Sequence, residues 1–366
     1  MAVGFPVKAD YATGDVLTAA NMNDFAGTLN IVPNTIGAFA AGKNKIINGD
    51  FAINQRAFTS NTTSASFNFD RWAQINTGGT FTVTPQVFTP GAAPVAGYEA
   101  TNFLRGVSAS QSAVGDRAVF RQKIEDVRTF AGQTITISFW AKAGSGTPKI
   151  GIEVAQEPTT PFISIPVSAV TISTSWVRYS ATVAVPSLSG VSISAGNNFS
   201  LFLWLSAGSD WATRASSIGI QNNTFDIWGV QVEAGSIATP FQTATGTIQG
   251  ELAACQRYLP AVIADAYEVL GFAYSTTGSQ YYLKLPTTAR VKPTGITVSN
   301  VAHFNVLNTG FSSGATTAIA FNTSSIDTAS LTVTTTAGSP TLVASQPAKL
   351  QSVNASALIL FTGCEL

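Results

Sequence analysis

Charge is the first thing this chain has little of. Asp, Glu, Lys and Arg together make up 10% of its 366 residues, against roughly 25% in an ordinary soluble domain. Basic and acidic side chains number 19 each, so the net charge is zero. With no basic run to neutralise a string of phosphates, nucleic-acid binding is disfavoured. Histidine occurs once, as His303, and cysteine twice, as Cys255 and Cys364. The two cysteines are too far apart for a metal knuckle or a redox pair and read as reduced thiols, which suits a cytoplasm. No apolar run reaches the ~18–20 residues that cross a bilayer. The opening MAVGFPVKADYATGD also lacks the basic and then apolar pattern of a signal peptide, so no membrane insertion is expected. Fixed-period repeats and long heptad runs are missing too, which argues against a solenoid or a coiled-coil shaft.

What is there instead is apolar and small polar material. Residues of the hydrophobic class reach 45%, too much for a disordered chain. Ser, Thr, Asn, Gln and Gly take over the work of wetting the surface, a composition of β-rich, loop-rich structure. Such a surface suits neutral polar partners such as sugars, or identical copies of the chain, and its low charge predicts modest salt dependence for either contact. The length is enough for two or three domains with their own cores.

The segment VLTAANMNDFAGTLNIV predicts a short amphipathic helix. Thr18 caps it, Leu17 staples onto Met22, and Met22, Phe25 and Leu29 share one face. A lone helix of this length is marginal in water, so that face must dock on something; residues 1–43 therefore read as an attachment segment. From residue 44 to 245 the pattern turns to closely spaced strands. Val177, Tyr179, Ala181, Val183 and Val185 alternate with polar neighbours in VRYSATVAV, TITISFW reads as another strand, and FSLFLWL is apolar on both faces. Many strands without helices between them mean a β-sandwich. TIQGELAACQRYL then predicts a helical linker over 246–260, with Leu252, Cys255, Gln256 and Leu259 on one side and Pro260 as the stop. Residues 261–366 return to short alternating segments (YYLKL, ITVSN, SLTVTTT, ALILF) and read as a smaller all-β domain.

Several strings occur in a definite order: NKIINGDFAINQR, FDRW, SFWAKA, WGVQVEAGSIATPFQ and ELAACQRYL. In that order and spacing, over Asn44 to Leu259, the chain resembles phage tail-fibre and other minor virion proteins. The resemblance implies a jelly-roll sandwich similar to carbohydrate-binding modules, opened by a strand at IINGDF and closed by one at VQVEAGS. It also implies a homotrimer fixed to a baseplate, adaptor or other tail protein through GDVLTAANMNDF. Residues 261–366 would then be the distal tip that meets a host surface glycan or protein receptor. The protein would be assembled in the host cytoplasm and reside in the virion. The rival readings are a baseplate or capsid decoration protein with no receptor, and a tailspike that depolymerises polysaccharide.

Catalysis is disfavoured. A glycosidase needs two carboxylates across the scissile bond; Glu153 with Glu157, or Asp210 with Asp226, can be nominated, but nothing singles them out. A nucleophilic triad would depend on His303, whose neighbours in VAHFNV read as a strand with a packed or rim imidazole. The jelly-roll likeness implies a structural calcium ion, with Asp50 and Glu233 as its candidate ligands; the alternative is that Asp50 shapes a turn and Glu233 ends a strand. Asp70 and Arg71 beside Trp72 read as a loop pin, and Gln256 with Arg257 as ties between the linker and its neighbours. Sugar binding requires an aromatic platform with polar groups nearby. Trp140, Trp176, Trp204 and Trp228 lie in apolar strands and read as core. Trp211, with Asp210 and Arg214 in the loop SDWATRASSIG, is the candidate platform, and Tyr267, Tyr274, Tyr282 and Phe311 are the candidate tip aromatics. Tyr281 and Tyr282 must point to opposite faces of their strand.

Overall fold

The computed structural model describes residues 42–158, 160–264 and 268–366. The predicted N-terminal helix with Met22, Phe25 and Leu29, and the tip candidate Tyr267, lie outside these residues. The first part of the described chain supplies eleven strands: β1 (Ser66–Phe67), β2 (Trp72–Thr77), β3 (Thr80–Val87), β4 (Asn102–Ala109), β5 (Arg117–Glu125), β6 (Thr134–Ala143), β7 (Lys149–Glu157), β8 (Ile163–Thr171), β9 (Val177–Ala184), β10 (Asn198–Ala207) and β11 (Thr224–Ala234). They form two antiparallel sheets, ordered β1-β2-β5-β10-β7-β8 and β3-β4-β11-β6-β9. The sheets pack into a β-sandwich because alternate residues of each strand turn inward. Phe120, Ile152 and Leu203 from the first sheet join Leu104, Ile137 and Trp228 from the second in one buried cluster.

The segment at IINGDF does not form the opening strand that the resemblance implies. It runs beside β11, with the Lys45 N–H donating to Val232 and the Val230 N–H to Gly49. Its ladder is broken because the Asn44 side chain occupies the Val232 N–H and Asn48 takes a left-handed backbone (φ 58°).

The helix α1 (Ile248–Gln256) is the one α-helix among the described residues, capped by Thr247, whose hydroxyl accepts the Gly250 N–H at 3.1 Å. Its buried face differs from the predicted one. Glu251 and Cys255 are buried, while Leu252 and Gln256 are half-exposed. An acid is tolerated there because it takes over orphan donors: the Glu251 carboxylate accepts the Asn48 N–H at 2.8 Å and the Thr245 N–H at 2.7 Å.

Beyond α1 come β12 (Ala261–Ala264), β13 (Glu268–Ala273), β14 (Gly278–Lys284), β15 (Gly295–Val298), β16 (Phe304–Leu307), β17 (Ser313–Ser324), β18 (Thr328–Thr335), β19 (Pro347–Ser352) and β20 (Ala357–Thr362). Six of these close a barrel, β13-β14-β18-β17-β16-β19, beside the three-stranded sheet β12-β20-β15. A second buried cluster, including Tyr281, Leu331 and Phe361, fills this unit. Tyr281 is buried and Tyr282 exposed, as their alternation requires. His303 departs from the sequence reading: it ends a 3-10 turn (Val301–His303) and the strand starts one residue later. The Asn300 side chain accepts the Ala302 N–H and so favours the turn.

Three of the five strings, NKIINGDFAINQR, FDRW and ELAACQRYL, meet at the joint between the two units, while SFWAKA and WGVQVEAGSIATPFQ supply the paired strands β6 and β11 of the second sheet. Arg71 is buried, stacks 3.5 Å over the Tyr258 ring, and donates to Lys123 O at 2.6 Å and to the Glu365 carboxylate at 2.9 Å. Arg56 also pairs with Glu365. Arg257 makes two hydrogen bonds to Glu125, at 3.0 and 2.9 Å, and Tyr258 adds a third. Asp70 accepts the Gln55 N–H at 2.9 Å. Burial pushes its carboxyl up from 3.8 to about 6, against the Gln55 hydrogen bond and the attraction of Arg56.

The folded state holds the Asp70 proton more tightly than the unfolded chain does. The resulting stabilisation is complete below about pH 3.8 and is lost as pH rises through about 6. Asp70→Asn keeps an acceptor for Gln55 and removes the titration. Its stability relative to the native chain should therefore rise by up to about 3 kcal/mol between pH 4 and pH 7. Urea unfolding at the two pH values checks this; an unchanged difference would sink the assignment.

Candidate functional site

The strand β10 reads NFSLFLWLSA, and both of its faces are apolar for separate reasons. Phe199, Leu201, Leu203 and Leu205 face the inter-sheet core, whereas Phe202 and Trp204 point to the opposite face and join a smaller buried cluster with Val119 and Ala215. Trp204, expected in the core, is thus buried outside it. Strand register sets its neighbours. Phe202 lies between Arg121 of β5 and Glu153 of β7, and Trp204 between Val119 and Gly151. A β-bulge between Trp204 and Ser206 interrupts the pairing to β5, and such bulges re-aim side chains beside sites.

The chain after β10 folds back over this face. A 3-10 turn (Ser209–Trp211) begins the return, and Gly151 gives it room: a Cβ there would lie 2.4 Å from Ala215 O. Trp211 stacks against Trp204 with ring centroids 5.8 Å apart and planes 34° apart, and its indole N–H donates to Gly115 O at 3.0 Å. Arg117 sits 4.0 Å over the Trp211 ring.

Arg214 ends up among four rings. Its guanidinium carbon lies 4.6 Å from the Phe162 ring centroid, 5.2 Å from those of Phe202 and Trp204, and 5.8 Å from that of Trp211. It is anchored from below by Glu153, a fully buried carboxylate that accepts Arg214 Nε at 2.8 Å, Trp204 Nε1 at 2.8 Å and the Ser164 hydroxyl at 2.6 Å. Beside this cage lies an open groove of about 310 Å³, whose polar wall is Arg117, Arg121, Arg214 and Glu157 and whose apolar wall includes Phe162 and Trp204. Phe162 is 43% exposed, with Arg214 over its ring. Glu157 accepts the Ser200 hydroxyl at 2.5 Å. Burial, and then repulsion from Arg214 and Arg121, hold Arg117 below the ordinary arginine range; burial does the same to Arg121 despite the attraction of Glu157. An aromatic ring face next to guanidinium donors and a carboxylate acceptor can stack on an apolar sugar face while hydrogen-bonding its hydroxyls.

Of the sequence candidates, Arg214 lines this groove, whereas Trp211 lies behind it, packed between Trp204 and Arg117, and is not an exposed platform. Asp210 is exposed and does not line it. Tyr274, Tyr282 and Phe311 belong to the second unit, exposed by 49%, 60% and 83%. Tyr274 lies over the turn at Gly278, where an added Cβ would sit 2.5 Å from its ring, and Tyr282 accepts from Gln280 at 3.0 Å. Phe162, Phe202, Arg117 and Arg121 escaped the sequence reading. The available signal was β10 itself, since a strand apolar on both faces needs a cover on each.

The nominated carboxylate pairs are not free acids across a cleft. Glu153 is held as described, and Asp226 lies on the other sheet, bound by Arg105 at 2.6 and 2.8 Å with Lys142 at 3.5 Å. Both calcium candidates already have protein partners. Glu233 accepts from Lys43, Gln231 and Thr239; burial raises its carboxyl, and these hydrogen bonds more than offset that, leaving it below the ordinary range. Asp50 accepts the Tyr98 hydroxyl at 3.0 Å, and burial raises its carboxyl. No three His, Cys, Asp or Glu side chains among the described residues group closely enough to hold a metal ion. His303 sits half-exposed at its turn, with no hydrogen-bond partner for Nδ1 among the described residues.

No protein-family model matches the sequence, and no curated protein matches it. Among solved structures, the enzymatically active domain of bacteriophage CBA120 tailspike protein 4 is 16% identical with a TM-score of 0.32, over 53% of this chain and 22% of that one. The family 11 carbohydrate-binding module of Clostridium thermocellum is 10% identical (TM-score 0.30), covering 50% of this chain and 98% of its own. The CBM22-1 xylan-binding domain from Paenibacillus barcinonensis Xyn10C is 14% identical (TM-score 0.29), covering 51% and 99%. This chain therefore spans about a fifth of the length of the tailspike domain it matches.

Proposed function

We propose that the chain is a phage tail-fibre or closely related virion protein that binds a host-surface glycan without cleaving it. The groove on the six-stranded sheet is its binding site. Residues 1–43 attach it to the baseplate or an adaptor, the central sandwich is a jelly roll, and three copies form the fibre. The glycan reading is carried by one observation, the open groove in which the exposed Phe162 stands beside an Arg214 already fixed by Glu153. The virion setting is supported by the ordered strings from Asn44 to Leu259. Weak single sites are enough in such an assembly, because several copies multiply them.

A second location, the tip formed by 261–366, is favoured by its exposed Phe311 and Tyr282. Retention of the full-length protein on immobilised bacterial surface polysaccharides separates the two. Trp211→Ala and Phe162→Ala should each weaken retention about tenfold. Retention indifferent to both, yet lost with Tyr282→Ser or Phe311→Ser, would move the site to the second unit. No retention on any polysaccharide would overturn the glycan reading and favour the decoration role.

A further inference from the structure

In a chain this poor in charge, three guanidinium groups around one groove are an unusual concentration. They are not equivalent. Arg214 is neutralised by Glu153 at 2.8 Å. Arg117 covers Trp211 and donates to the Thr77 hydroxyl at 3.3 Å. The guanidinium of Arg121, whose backbone lies between Ala73 and Phe202 in the sheet, makes no hydrogen bond or ion pair with any described residue. The one opposite charge acting on it is Glu157, which accepts the Ser200 hydroxyl, while Arg117 and Lys123 face it as like charges. Lys123 continues the row on the same face of β5.

A guanidinium presents five donors in a planar fork. Neutral hydroxyls would displace water from that fork without matching its charge, whereas an anionic group satisfies both. Resting on the glycan reading above, we infer that the groove selects an acidic glycan, whose sugar units carry a carboxylate or a sulfate or phosphate ester that docks on Arg121. A charge-assisted hydrogen bond is worth roughly tenfold or more in affinity, and binding should weaken as salt rises, more than the composition of the whole chain predicts.

The test is a glycan array probed with the full-length protein, carrying neutral, uronate- or sialate-bearing, sulfated and phosphorylated glycans. The expected result is binding confined to acidic members, with the carboxylate and ester arms telling the two sources apart. Arg121→Ala should lose that binding about tenfold or more, Arg121→Lys should retain part of it, and Lys284→Ala, remote on the second unit, should change nothing. Melting temperatures close to the native one show that the variants fold. Neutral glycans bound equally well by native protein and Arg121→Ala would overturn this inference and leave the glycan reading standing. An array with no bound member would overturn both.

Discussion

Glu153→Ala is expected to lower the unfolding free energy by about 3–5 kcal/mol, the range for removing one partner of a buried ion pair. Glu153 is fully buried and serves three donors at once, so its loss leaves the Arg214 guanidinium without a counter-charge amid four rings and the Trp204 N–H without an acceptor. The guanidinium then gains by turning to water, which dismantles the cage and should abolish retention on glycan as well. Glu153→Gln keeps the volume and one acceptor and should cost about 1–2 kcal/mol. Urea unfolding followed by tryptophan fluorescence reads both. A loss below 1 kcal/mol for the alanine variant would mean that Arg214 is not held by this carboxylate.

Glu365→Ala is expected to cost about 3 kcal/mol and to divide thermal unfolding into two transitions. Its carboxylate meets Arg71, only 2% exposed, together with Arg56, both from the sandwich side of the joint. From the other side, Arg290 donates to the carbonyls of Cys364 and Glu365 and its N–H reaches Arg257 O at 2.7 Å. Without the Glu365 carboxylate, Arg71 keeps Lys123 O and the Tyr258 ring but has no counter-charge. Calorimetry of the full chain measures the effect; one unshifted transition would show that the two units are coupled elsewhere.

The all-β class and the strands were legible because period-2 alternation survives in single strands such as β9 and β14. Trp211 and Arg214 could be paired because they sit in one loop of the sequence. The rest of the groove was not legible, because it exists only through register. Arg121 and Glu153 flank Phe202 from two different strands, and no local pattern records that. Trp204 looked like core because an outward residue covered by its own downstream loop has the same composition as an inward one. Glu251 was missed because the helix reading counted apolar residues only, and an acid buried to satisfy two backbone N–H groups is invisible to that count. The motif strings were recognisable as strings, but the task of their charged residues, Arg56 and Arg71 on Glu365 and Arg257 on Glu125, required the fold.

Backbone hydrogen exchange of the full-length protein, with and without an oligosaccharide that the native protein retains, shows where the glycan sits. If the groove is the binding site, exchange slows in residues 208–223 and along β5 and β10. Slowing confined to 261–366, with the groove unchanged, would mean that the glycan binds the second unit and not the groove.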